Sequence, residues 1–107
     1  MTECDYSILD RLVKIIRKNR IADPKESYVA NLFNKGRTKM AQKVGEEAVE
    51  LVIEAAKNDP KKTISESADL LFHLLVLWEE MGVSLQDVLQ VLEKREGLSG
   101  IEEKAKR

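Results

Sequence analysis

Apolar residues recur along this chain at helical spacing. Ile8, Leu12, Ile15 and Ile16 share one side of a segment from Asp5 to Asn19, with Arg11, Lys14, Arg17 and Lys18 off that face. This spacing predicts a first amphipathic helix. Arg20-Ile21-Ala22-Asp23-Pro24 breaks it, because proline biases the residue before it away from helix. Ser27 is placed to cap a short helix through Phe33, closed by Asn34-Lys35-Gly36. Thr38 is placed to cap a third helix reaching about Asn58, striped by Ala41, Val44, Ala48, Leu51, Val52 and Ala55. Gly45 inside it costs about 1 kcal/mol relative to alanine. It suggests close approach by another helix or a ligand, with simple tolerance as the alternative.

Asn58-Asp59-Pro60 reads as a stop and restart, since proline suits the first turn of a helix. From Lys61 to Met81, Ile64, Ala68, Leu71, Leu75 and Trp78 set the stripe. Leu70, Phe72, Leu74, Val76 and Leu77 spread it almost all the way round. Such a helix belongs at the centre of a bundle or beneath a second subunit. Gly82 ends it. Ser84 with Asp87 resembles a capping box using the shorter acid, and a last helix to about Glu96 is expected to pack Leu85, Val88, Leu89 and Leu92. No strand pattern or repeat occurs. The expectation is an all-α bundle of about five helices in one domain over 1–97, with a polar, flexible tail over 98–107.

Acidic residues break the pattern of the two long helices. Gly45-Glu46-Glu47-Ala48-Val49-Glu50 is answered by Glu66-Ser67-Ala68-Asp69. Positions three or four apart share a helix face, so Glu47 pairs with Glu50 and Glu66 with Asp69, while Glu54 and Lys43 continue the first band. Like charges so spaced destabilise a helix by a few tenths of a kcal/mol per pair, and by more when partly buried. A hard divalent cation removes that penalty. Mg²⁺ takes a few carboxylates together with water and substrate phosphates, and two facing antiparallel helices can offer such a set. The alternative is a solvated acidic flank, but leucine would pack better at Glu66 and Asp69.

Composition narrows the partners. The chain has 107 residues, 43% hydrophobic and 35% charged, with a formal net charge of −1. This near-balance gives no electrostatic case for nucleic-acid binding. At this length a single chain buries only about two-thirds of its unfolded surface, so self-association would add useful core. Lone Cys4 leaves no internal disulfide and fits a reducing cytosol. No apolar run reaches the roughly 18 residues of a membrane span, and no signal-peptide pattern opens the sequence. A cytoplasmic protein is expected.

Lys35, Arg37, Lys39 and Lys43 precede the acids. A phosphate chain held by Mg²⁺ at one end needs cations at the other, although solvent-exposed lysines are common. His73 lies one turn beyond Asp69. It is open to three roles: touching substrate, hydrogen-bonding a metal-bound carboxylate, or sitting satisfied in the core. Tyr28 and Phe33 could stack on a base or serve as core. One histidine and one distant cysteine argue against zinc. Neither a nucleophile with a base partner nor a glycine-rich phosphate loop is present.

Glu46, Glu47, Glu50, Glu66 and Asp69 together resemble the signature of the MazG-like all-α nucleoside triphosphate pyrophosphohydrolases. More narrowly, Ser27 to Phe33, Lys43 to Glu50 and Ala68 to Leu77 resemble the phosphoribosyl-ATP pyrophosphatase family of histidine biosynthesis. The likeness runs from about Leu9 to Lys94, with Phe72 where the family pattern has tyrosine. The resemblance implies cleavage of phosphoribosyl-ATP to phosphoribosyl-AMP and pyrophosphate by Mg-activated water. Glu47, Glu50, Glu66 and Asp69 would bind Mg²⁺, and Glu46 would orient or deprotonate the water. Lys35, Lys39, Lys43, Ser27, Tyr28 and His73 are the candidate substrate-binding residues. A homodimer or larger homo-oligomer is implied as well. Two rivals remain: a house-cleaning hydrolase of canonical or damaged (d)NTPs with the same metal site, and a non-catalytic helical interaction module.

Overall fold

Five α-helices follow one another in the computed structural model, which describes residues 4–97 and 100. They are α1 (Ile8–Asn19), α2 (Tyr28–Lys35), α3 (Arg37–Ala56), α4 (Pro60–Met81) and α5 (Leu85–Arg95). The fold is all-α, as the spacing predicts. Apart from Gly100, the 98–107 tail lies outside the described residues.

The long antiparallel pair α3–α4 forms the spine, and α1 and α2 pack on it. Its turn is set by local chemistry. Asn58 takes a left-handed φ of 58°, a conformation asparagine tolerates. The Asp59 side chain then accepts from Lys62 N, and Pro60 opens α4 where its missing N–H costs nothing. At the far end Gly82 closes α4 at φ 70°, and Ser84 and Asp87 form the reciprocal capping box.

Ile16, Val29, Leu32, Met40, Leu75 and Val76 make the buried core. Two ion pairs fasten α1 to the end of α4: Arg17 to Glu79 at 2.9 Å, and Arg20 to Glu80 at 3.1 Å. The Arg20 guanidinium also lies 4.6 Å above the Phe33 ring, which occupies that aromatic face.

Several local expectations are corrected. Helix α1 begins at Ile8 and not Asp5, whose carboxylate accepts from Ser7 N in a preceding turn. Its inward face is Leu9, Leu12, Val13 and Ile16, while Ile8 and Ile15 are exposed. Helix α2 continues past Phe33 to Lys35. Thr38 caps nothing: Gly36 at φ 93° breaks the chain by one residue, so α3 has already started at Arg37. On α3 the buried residues are Met40 and Glu47, while Ala41, Val52 and Ala55 of the expected stripe face outward. Gly45 is exposed, and a Cβ there would meet nothing within 4 Å, so tolerance explains it within this chain. On α5, Leu89 and Leu92 are exposed rather than packed.

Candidate functional site

Helices α3 and α4 cross with their acidic turns facing each other. Glu47, Glu66 and Asp69 each offer a carboxylate oxygen within 4.8 Å of the other two. Glu47 is buried, Glu66 is half-buried, and Asp69 opens to solvent. One oxygen of Glu66, Oε2, is shielded from solvent without a hydrogen-bond partner. A buried carboxylate oxygen left unpaired is costly, and an oxygen-seeking cation satisfies it.

Glu50 stands outside that tight trio but acts on it. Burial first, and then the Glu50 carboxylate, push Glu47 above the ordinary carboxylate range. The same two causes, in the same order, raise Glu66. The protein alone therefore holds these acids in mutual repulsion, a state that a cation relieves. Four of the five signature acids converge here.

Glu46 goes elsewhere. Its side chain accepts from Gln42 Nε2 at 2.9 Å and sits 3.5 Å from Lys43 Nζ. Those contacts, the Gln42 hydrogen bond foremost, hold its carboxyl below the usual range. Lys43 in turn lies 3.9 Å from Glu47, so this one ammonium joins the acids to the basic side of the site. The Tyr28 phenol first, then Glu46 and Glu47, hold Lys43 above its ordinary value against desolvation.

Beyond Lys43 opens a cleft of about 470 Å³ lined by Tyr28, Leu32, Lys35, Lys39, Gln42 and Lys43. Its size is that of a small-molecule site. Helix α3 begins beside it with neither a capping side chain nor an acid in its first turn, which leaves the positive helix end uncompensated. Gln42 was not anticipated from sequence. The available signal was its position one turn from both Lys39 and Glu46 on the same face.

His73 is buried beneath Tyr28, with both ring nitrogens committed. Nδ1 lies 2.8 Å from the Asp69 carbonyl, which can only accept, so Nδ1 carries hydrogen. In the neutral ring Nε2 then accepts from the Tyr28 hydroxyl at 3.0 Å. Of its three open roles, the buried and satisfied one describes its position. The Tyr28 ring also stacks on Phe72, centroids 6.2 Å apart and 23° from parallel. Ser27 caps α2 by accepting from Ala30 N at 3.1 Å, and Arg37 is exposed; neither lines the cleft.

The sequence model described as phosphoribosyl-ATP pyrophosphohydrolase matches residues 9–96. The chain belongs to that family. It is 57% identical over 99 residues to the phosphoribosyl-ATP pyrophosphatase of Erythrobacter litoralis, covering 92% of this chain and 95% of that one. The phosphoribosyl-ATP pyrophosphatase of Azospirillum brasilense is 53% identical over 98 residues, covering 92% of this chain and 88% of the other. The corresponding protein of Paracoccus denitrificans is 54% identical over 99 residues, 92% of each chain. The family match spans α1 to α5, so it includes every residue of the acidic trio and of the cleft. Among the described residues no helix is long and apolar enough to cross a membrane.

Proposed function

We propose that this chain is a Mg²⁺-dependent phosphoribosyl-ATP pyrophosphohydrolase of histidine biosynthesis, acting in the cytoplasm on a small-molecule substrate. Family membership carries the reaction: phosphoribosyl-ATP is hydrolysed to phosphoribosyl-AMP and pyrophosphate. The observation that carries the mechanism is the carboxylate trio joined through Lys43 to a basic cleft.

Glu47, Glu66 and Asp69, with Glu50 beside them, would hold Mg²⁺. The donor set fits: all ligands are oxygen, and one buried oxygen lacks a partner. When bound, Mg²⁺ supplies charge neutralisation and Lewis acidity at the phosphates. The remaining work belongs to the chain. Phosphoryl transfer depends mainly on positioning and electrostatics, so Lys43, between the acids and the cleft, orients the reacting phosphates. Lys43, already 3.9 Å from Glu47, is the cation closest to the scissile α–β linkage in this assignment. Glu46, held next to Lys43 and free of the trio, is assigned to orient the attacking water and take its proton.

Self-association completes this reading. Val49 (59% exposed) and Val52 (65%) on α3, with Ile64 (71%) on α4, leave apolar surface that a monomer gains nothing by exposing. A homodimer would cover it.

Pyrophosphate release from phosphoribosyl-ATP, with and without Mg²⁺, tests the proposal. Mg-dependent release from phosphoribosyl-ATP in preference to dNTPs is the expected result. Preference for a dNTP would transfer the site to the house-cleaning rival. Loss of turnover in Glu46→Gln with Mg²⁺ binding retained would support the role given to Glu46.

A further inference from the structure

Phosphoribosyl-ATP carries, besides the triphosphate, a phosphoribosyl arm that ends in its own phosphate. ATP has the first and lacks the second, so discrimination against ATP requires contacts to that arm. Binding energy from such a remote group can be used at the reacting centre. The acids and their cation hold only the triphosphate end, so the second phosphate needs cations elsewhere.

The state of each nearby cation narrows the choice. Arg17 and Arg20 are paired with Glu79 and Glu80. Lys43 is shared between Glu46 and Glu47 at the acidic end. Lys39 has one long hydrogen bond, 3.4 Å to Gln42, and faces no carboxylate within ion-pair distance among the described residues. Lys35 has neither ion pair nor hydrogen bond from its ammonium among the described residues. Both line the cleft. Lys39 and Glu47 are separated by about 12 Å of helix at about 1.5 Å per residue, the order of length of a nucleoside monophosphate.

The wall between them is built in advance. Tyr28 is fixed from beneath by the His73 hydrogen bond and by stacking on Phe72, while the residue remains 53% exposed along the cleft. An aromatic held in this way loses little freedom when a flat ligand covers it. Leu32 adds an apolar floor.

We propose that Lys35 and Lys39, with Tyr28 and Leu32 as walls, form the specificity subsite for the phosphoribosyl arm, separate from the acidic end that takes the pyrophosphate. The assignment rests on the phosphoribosyl-ATP reading above. Lys35 and Lys39 clamp the terminal phosphate of the arm, and Tyr28 supports the base and sugar that connect it to the scissile phosphates.

Calorimetric binding of three ligands in the presence of Mg²⁺ tests this: phosphoribosyl-AMP, AMP and pyrophosphate. In the Lys35→Ala, Lys39→Ala double variant, phosphoribosyl-AMP affinity should fall about tenfold or more, the effect of losing charge-assisted hydrogen bonds, while AMP and pyrophosphate change less than about twofold. The Lys35→Arg, Lys39→Arg variant should recover most of the loss. Equal weakening of all three ligands would reduce the lysines to a general electrostatic field and overturn the subsite. Unchanged phosphoribosyl-AMP binding would overturn it too, as would failure of the unaltered protein to bind that ligand. Absence of pyrophosphate release from phosphoribosyl-ATP is a separate failure, of the reaction, and leaves the binding comparison readable.

Discussion

The hydroxyl of Tyr28 meets Nε2 of His73 at 3.0 Å, joining residues 45 positions apart and tying the first turn of α2 to the middle of α4. Because Nδ1 of the same ring is committed to the Asp69 carbonyl, one imidazole links the wall of the cleft to the backbone of a proposed metal ligand. Tyr28→Phe keeps the ring and its stacking but leaves Nε2 without its partner. A loss of about 1 kcal/mol in unfolding free energy is expected, the scale of a net hydrogen bond beside partly accessible surface. Urea denaturation measures it; an unchanged midpoint would mean that water replaces the phenol at no cost.

Mg²⁺ should stabilise the folded chain. At a hundredfold excess over its dissociation constant the gain is about 2.7 kcal/mol. Glu66→Gln should remove most of that gain, yet be more stable than the parent without metal, because one repelling charge has gone. Thermal melts of both proteins with Mg²⁺ or with EDTA read both signs. A variant less stable without metal would argue that Glu66 is not under electrostatic strain.

Glu79 gives the pH dependence a defined limb. The hydrogen bonds it accepts from Arg17, then the charge of that guanidinium, hold its carboxyl below the ordinary carboxylate range. The folded value is lower than the unfolded one, so this stabilisation is complete above the unfolded value and is lost as pH falls through the folded value. Arg17 is largely solvated, so screening by water keeps the contribution of the pair small. Arg17→Ala should therefore destabilise at neutral pH and narrow its difference from the parent in acid. A gap that is constant with pH would assign the loss to packing.

Placing a charge on the outer face of α3 tests self-association. Val52→Glu should shift the proposed homodimer to monomer in sedimentation experiments at micromolar concentration while the helical signal is retained. An unaltered oligomer would move the interface elsewhere.

Much of this arrangement was legible in the order of residues. Helical spacing set out five elements, and the signals at Asn58, Asp59, Pro60 and Gly82 marked the α3–α4 turn and the end of α4, because caps and turns depend on local backbone chemistry. The acidic signature was equally plain, since i, i+3 and i, i+4 spacing places carboxylates on one face whatever packs against it. Gly36 is less legible from spacing alone. A single residue at positive φ carried α2 straight into α3, whereas a longer connector ending in a Thr38 cap was expected from the sequence.

What the sequence determined by itself was the set of helices and the faces on which charge collects, both consequences of interactions within one or two turns. Only the tertiary structure decided which face turns inward. It buried Glu47 as well as Met40 while Val52 faced out, sent Glu46 to Lys43 and away from the trio, and placed His73 under Tyr28. Those choices depend on how α2 and α4 dock against α3, and contacts between distant segments follow from the packing of whole surfaces, which residue spacing within one helix does not specify.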